Sequence, residues 1–141
     1  VEEGGAAGVS PRIFGQLLLP NLQAVFAVKP CPMVISFIGG TDQFLDFLVA
    51  CDPDGVGIDR QCDTAGAREK IPAALPLFTG CGAHDMLANA SVETIHSAVH
   101  RRLDLGATAV GPPADIYPPA KMEKIAAFIR AVREYLQADS G

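Results

Sequence analysis

The sequence predicts an α/β domain in which four strand–helix units build a parallel sheet, half of an eight-unit barrel. Three observations predict it. Short apolar runs begin near Met33, Gly55, Leu75 and Ala107, and each is followed by a helical pattern. The chain has 141 residues, whereas closing an eight-unit barrel takes about 250. Hydrophobic residues make up 49% of the chain and the mean hydropathy is +0.25. Parallel strands buried on both faces account for part of that, and a surface waiting for a partner accounts for the rest.

The elements follow in order. Residues 1–9 are rich in Gly and Ala and read as a flexible N-terminal segment. Ser10 is a helix N-cap, with Pro11 at the first helical position. Phe14, Leu17, Leu18, Leu22 and Phe26 form the apolar face of that helix, which Pro20 should kink or divide. The first strand is Met33–Ile38, ended by Gly39-Gly40, and Thr41 or Asp42 caps a helix carrying Phe44, Leu45, Phe47 and Leu48. Asp52-Pro53-Asp54-Gly55 is a tight turn into the second strand, Val56–Asp59. Asp63 or Thr64 opens a short helix to Ile71. Leu77–Thr79 is the third strand, and Ser91 caps an amphipathic helix that buries Ile95, Ala98, Val99 and Leu103 and stops at Gly106. Ala107–Val110 is the fourth strand. After a Pro-rich loop over 111–119, Met122, Ile125, Ala126, Ile129, Val132 and Leu136 mark the inner face of the last helix. The whole of 1–141 is therefore one (βα)4 half-barrel domain, a fragment or half of a larger barrel; the start at Val1 rather than Met agrees with that.

Composition narrows the function. A net charge of −5 and the absence of a basic stripe argue against nucleic acid. The two basic clusters, His100-Arg101-Arg102 and the helix around Arg130 and Arg133, read as solvated helix faces. No apolar run reaches the roughly 18 residues of a membrane helix. Cys31, Cys51, Cys62 and Cys81 show no close-set pairing, so reduced thiols in a cytoplasm are expected.

In parallel α/β folds the ligand lies at the carboxyl ends of the strands. That selects the loops 36–41, 59–63, 80–85 and 111–117. Asp59, at a strand end, is the candidate catalytic group, as general base or substrate orienter, with bonding to loop amides as the equal structural alternative. Asp63 is read first as a helix cap. Ser36, Gly39, Gly40, Asp63, His84, Asp115 and Tyr117 are the candidate substrate contacts. Cys62, Cys81, His84 and Asp59 are the only approximation to a zinc set, but nothing in their spacing demands convergence, so no metal is assigned. His96 and His100, one helical turn apart, read as solvent-facing.

Ser10-Pro11-Arg12-x-Phe14, Leu19-Pro20, the strand ending at Gly39-Gly40, Gly57-Ile58-Asp59-x-x-x-Asp63 and Ile125 occur in an order that resembles a known superfamily. It is the uroporphyrinogen decarboxylase and corrinoid-dependent methyltransferase superfamily, and the likeness is to its C-terminal half. The resemblance implies units five to eight of a TIM barrel. It further implies either methyl transfer from a methyl-corrinoid protein to a zinc-activated thiol, or metal-free decarboxylation of a tetrapyrrole. The methyltransferases carry His-x-Cys where this chain reads Ser36-Phe37-Ile38, and a third ligand, Cys, near Ala114. The decarboxylases carry a His in that last loop, and their catalytic Asp and Arg lie in the N-terminal half.

The expectation is therefore part of an enzyme acting on a tetrapyrrole or methyl-corrinoid, with the N-terminal half-barrel supplied elsewhere. No resident cofactor is expected. The partners expected are the completing half, a second copy, or a corrinoid protein. The alternative is a non-catalytic, degenerate homologue serving as a binding or oligomerisation module.

Overall fold

The computed structural model describes residues 2–3 (backbone only), 8–40, 42–112, 116 and 118–138. Five strands form one sheet in the order β1-β2-β3-β4-β5, every neighbouring pair parallel. They are β1 (Glu2–Glu3), β2 (Val34–Phe37), β3 (Gly55–Ile58), β4 (Leu77–Gly80) and β5 (Ala109–Gly111). Strands β2 to β5 are the four expected ones. Strand β1 corrects the reading of 1–9 as uniformly flexible: Glu2 and Glu3 pair with Ser36 and Phe37. Two acidic residues carry no apolar alternation, so this edge strand is held by its backbone ladder and has no signature in sequence.

The first helical region begins as expected. Ser10 Oγ accepts from Ile13 N at 3.3 Å, and Pro11 opens α1 (Pro11–Ile13). A π-helical stretch, Phe14–Leu18, then leads into α2 (Leu19–Ala27), where Pro20 sits in the first turn. Pro20 has no N–H for the regular ladder, and the chain meets this by letting Leu19 N reach five residues back to Phe14 O. The division is as predicted, but the wider turn shifts the helical phase. Phe14 and Phe26 are buried and Leu18 and Leu22 partly so, whereas Leu17 turns outward and is 62% exposed.

The remaining helices follow their caps. After a 3-10 turn at Asp42–Phe44 come α3 (Leu45–Val49), α4 (Thr64–Lys70), the short α5 (Met86–Asn89), α6 (Val92–Asp104) and α7 (Met122–Ala138). Asp63 caps α4, its carboxylate accepting from Ala65 N at 3.2 Å. Ser91 caps α6 through Thr94 N at 3.1 Å, and Gly106, at φ +93°, reverses the chain after it. Helix α5 was not anticipated; four residues are too few to show a periodicity.

Strand pairing sorts the sheet into two faces. One carries Ile35, Val56 and Leu77 in one row and Ile58, Thr79 and Val110 in the next. Helices cover it in two clusters, one around Phe14, Phe26 and Leu48 and one around Ile95, Val99 and Ala131. Helix α7 buries Ala127 and Ala131, while Met122, Ile129 and Leu136, spaced by seven, are exposed; the predicted inner face is therefore only partly inside. His96 and His100 also depart from expectation. Their ring centroids lie 3.8 Å apart, tilted by 33°, with His96, still 44% exposed, against Glu134 (3.4 Å) and His100 Nε2 3.1 Å from Ala131 O.

Phe14 lies at the hub of the first cluster, with ring centroids 5.6, 4.9 and 5.5 Å from those of Phe37, Phe44 and Phe47. Phe14→Ala is expected to cost about 3–5 kcal/mol in a urea titration; a loss below 1 kcal/mol would show that this hub is dispensable.

Candidate active site

The second face of the sheet carries the candidate site. Its rows are Val34–Gly55, then Ser36–Gly57–Phe78–Ala109, then Gly80–Gly111. Ser36, Gly57, Phe78 and Ala109 of its middle row, with Gly80 and Gly111, line an open trough of about 350 Å³ that Ile58, Thr79, Val110 and Pro112 also border. The glycines are there for close approach. A Cβ on Gly57 would lie 2.6 Å from Ser36 Oγ, and one on Gly55 would lie 2.7 Å from the Phe78 ring. Ser36 and Phe78 thus fold over β3 and shield its backbone. The Gly55-x-Gly57 alternation was the only sequence signal for this trough.

At the carboxyl ends of the strands the loops are knitted together. Asp59 Oδ2 accepts from Gly39 N at 3.1 Å and Oδ1 from Gln61 N at 2.9 Å. Gly39 takes φ +91°, which aims its N–H at that carboxylate. Cys62 Sγ is 3.4 Å from Gly39 O, and Asp63 N donates to Asp42 Oδ1 at 3.1 Å. Gly40 borders open space. The structure therefore brings Gly39, Asp59 and Asp63 into one cluster, with Ser36 below on β2. His84 lies apart, exposed on the loop after β4 beside Asp85. Asp115 and Tyr117 lie outside the described residues.

One contributor was missed. Arg102, expected on a solvated face, reaches from α6 to the loop after β3. It donates to Cys62 O at 3.2 Å, to Thr64 Oγ1 and to Arg60 O. Its position between Val99 and Leu103, both buried, was the available signal.

The donor set does not fit zinc. Ser36 offers a hydroxyl where the methyltransferase resemblance calls for imidazole, and Ile38 offers no donor atom. Among the described residues, no three His, Cys, Asp or Glu side chains gather closely enough to hold a metal ion. Nor is any helix of the described residues long and apolar enough to cross a membrane.

Comparison with known proteins agrees with this geometry. The sequence profile of uroporphyrinogen decarboxylase (URO-D) matches residues 1–135. The chain belongs to the uroporphyrinogen decarboxylase family. No curated protein matches it. Among solved structures, a methyltransferase from Methanosarcina mazei superposes with a TM-score of 0.80 at 21% identity, covering 91% of this chain. The aligned region is 38% of the methyltransferase chain, so this family member spans well under half the length of that neighbour. The α/β fold expected from sequence, a parallel sheet with alternating helices matching part of a barrel-type methyltransferase, is the one observed.

The cysteines differ in exposure: Cys31 is exposed, whereas Cys51, Cys62 and Cys81 are buried. Burial pushes the Cys81 thiol up to about 11, against a pull downward from the Arg102 charge. At pH 8 only about a thousandth of Cys81 is thiolate. Native protein treated with iodoacetamide at pH 8 is expected to label exposed Cys31 first and Cys81 only after unfolding. Peptide mass spectrometry showing Cys81 alkylated as fast as Cys31 would contradict this.

Proposed function

We propose that this chain is part of a uroporphyrinogen decarboxylase-like or corrinoid-dependent methyltransferase-like enzyme acting on a tetrapyrrole or methyl-corrinoid. The observation that carries the proposal is the glycine-lined trough directly below the Asp59 cluster. Barrel interiors are ordinarily filled by bulky branched side chains in layers. Here the equivalent face offers Ser36, Gly57, Gly80, Ala109 and Gly111 around one aromatic ring. Such a face leaves room for a large, flat, largely apolar ligand, and Phe78 gives it something to stack on. The remaining half of the wall would come from a preceding segment, a second chain or a second copy.

In this reading Asp59 faces the substrate as base or orienter, with Ser36, Gly39, Gly40 and Asp63 as the substrate contacts nearest it. Each Asp59 oxygen takes one amide N–H and keeps a further lone pair for a ligand. A corrinoid would be substrate, carried by a partner protein, and no zinc step is included. The second reading, a non-catalytic binding or oligomerisation module, is favoured by the Ser36-Phe37-Ile38 replacement. Calorimetric titration with a corrinoid and with a tetrapyrrole separates the two readings, since silence with both supports the module.

Asp59→Asn in the completed enzyme is expected to lower turnover at least tenfold, about 1.4 kcal/mol of barrier, while stability falls only by the one amide acceptor lost, about 1 kcal/mol. Near-wild-type turnover would remove Asp59 from the chemistry, and a collapsed midpoint would make it a loop clamp. The uncovered trough and the exposed apolar helix faces further predict a dimer or higher oligomer of this chain by light scattering; a monomer at high concentration would exclude the second copy as the completing wall.

A further inference from the structure

A second cavity, of about 430 Å³, lies away from the trough, between the loop after β3, Gly82 and the outer flank of α6. Three arginines, Arg60, Arg101 and Arg102, line it, against one carboxylate, Asp63. That concentration is unusual for this chain, which has 11 Lys and Arg in all and a net charge of −5. Asp63 is committed to capping α4. Arg102 binds two backbone carbonyls and a hydroxyl, all neutral, and forms no ion pair with a carboxylate among the described residues; its charge acts on the Cys81 thiol as well. The guanidinium groups of Arg60 and Arg101 make no ion pair or hydrogen bond among the described residues. Two unengaged guanidinium forks beside a third fixed positive charge form a focused positive potential in a concave site.

We infer that this cavity binds a small molecule through an oxyanion, phosphate or carboxylate, held between Arg60 and Arg101. Guanidinium matches either group with paired N–H···O bonds, and Arg102 adds field without moving. The lining residues belong to the loop after β3, the start of α4, the loop after β4, and α6 with Leu105 that follows it. The cavity's arginines stand outside the trough lining, and the inference does not rest on the proposed reaction; Asp63 is the one lining residue it shares with the proposed substrate contacts.

The test is calorimetric titration of the protein with inorganic phosphate and, separately, with citrate, in a chloride-poor buffer of about 20 mM ionic strength, where screening is weak. Saturable binding to either is expected, and the preferred anion identifies the ligand's charged group. The double variant Arg60→Gln/Arg101→Gln should weaken it at least tenfold, because hydrogen bonds to charged groups contribute about 1.5–3 kcal/mol each. Arg60 meets Arg102 only through its backbone carbonyl, so this variant leaves the loop clamp intact. Arg130→Gln/Arg133→Gln, on the exposed face of α7, removes the same charge and should leave binding unchanged. No saturable binding of either anion would overturn the proposal. So would equal binding by the Arg60/Arg101 double variant, or equal weakening by the α7 control.

Discussion

A parallel sheet has to be covered on both faces, and the whole molecule is arranged around how far it meets that demand. On one face the solution is ordinary. Helices bring Phe14, Phe26, Leu48, Ile95 and Val99 down onto Ile35, Val56 and Leu77, all of them essentially removed from water. On the other face no layer of the described residues is available, and the chain covers β3 with its neighbours' own side chains. Gly55 and Gly57 are buried there because Val34, Ser36 and Phe78 lie across them, at distances that leave no space for a Cβ. Small residues on this face are thus required by the packing, and they also create the trough that the proposed ligand would enter.

The same sheet dictates where polar groups can collect. Parallel strands direct all their carboxyl ends to one rim, where loop amides need partners and no ladder supplies them. Asp59 answers two such amides and Asp63 a third. Arg102 supplies the complementary donors, satisfying the carbonyls of Arg60 and Cys62 from a different helix. An acid and a guanidinium therefore hold one loop from opposite sides. That rigidity makes the rim a place where a substrate group can be positioned.

Much of this was legible in sequence because it rests on local rules. Ser10, Asp63 and Ser91 cap where expected, Pro20 divides the first helical region, and the four apolar runs become β2 to β5. What was not legible depended on contacts distant in sequence. Glu2-Glu3 become a strand only because β2 offers an open edge. Leu17 leaves the core because a π-turn shifts the helical phase, which no fixed period anticipates. His96, His100 and Arg102 were read as solvated because charge on a helix usually is; each instead finds its partner on another element of the chain. At the site, the grouping of Asp59, Gly39 and Asp63 was anticipated from the strand-end rule, whereas the trough below needs the strand register to be seen.

Most of the large exposed apolar side chains collect in two places, and that placement bears on how the molecule is completed. Ile13, Leu17, Val25 and Val28 lie on the first helical region, and Met122, Ile129 and Leu136 on the last helix. Between them, α3 and α4 pack against each other, as do α6 and α7. In a closed ring of helices every member has two neighbours, whereas in an open arc the two end members each lack one. The end helices keep most of the exposed apolar side chains, with Val92 on α6 a further one, and the trough is the sheet face left without a layer among the described residues. Both features are deficits of the same kind, and further strand–helix units placed against this sheet would relieve them together. Neither alone would favour completion over an ordinary hydrophobic surface. Their coincidence, in a chain that aligns with 38% of a methyltransferase of matching fold, is what supports the proposal that the working enzyme closes around both.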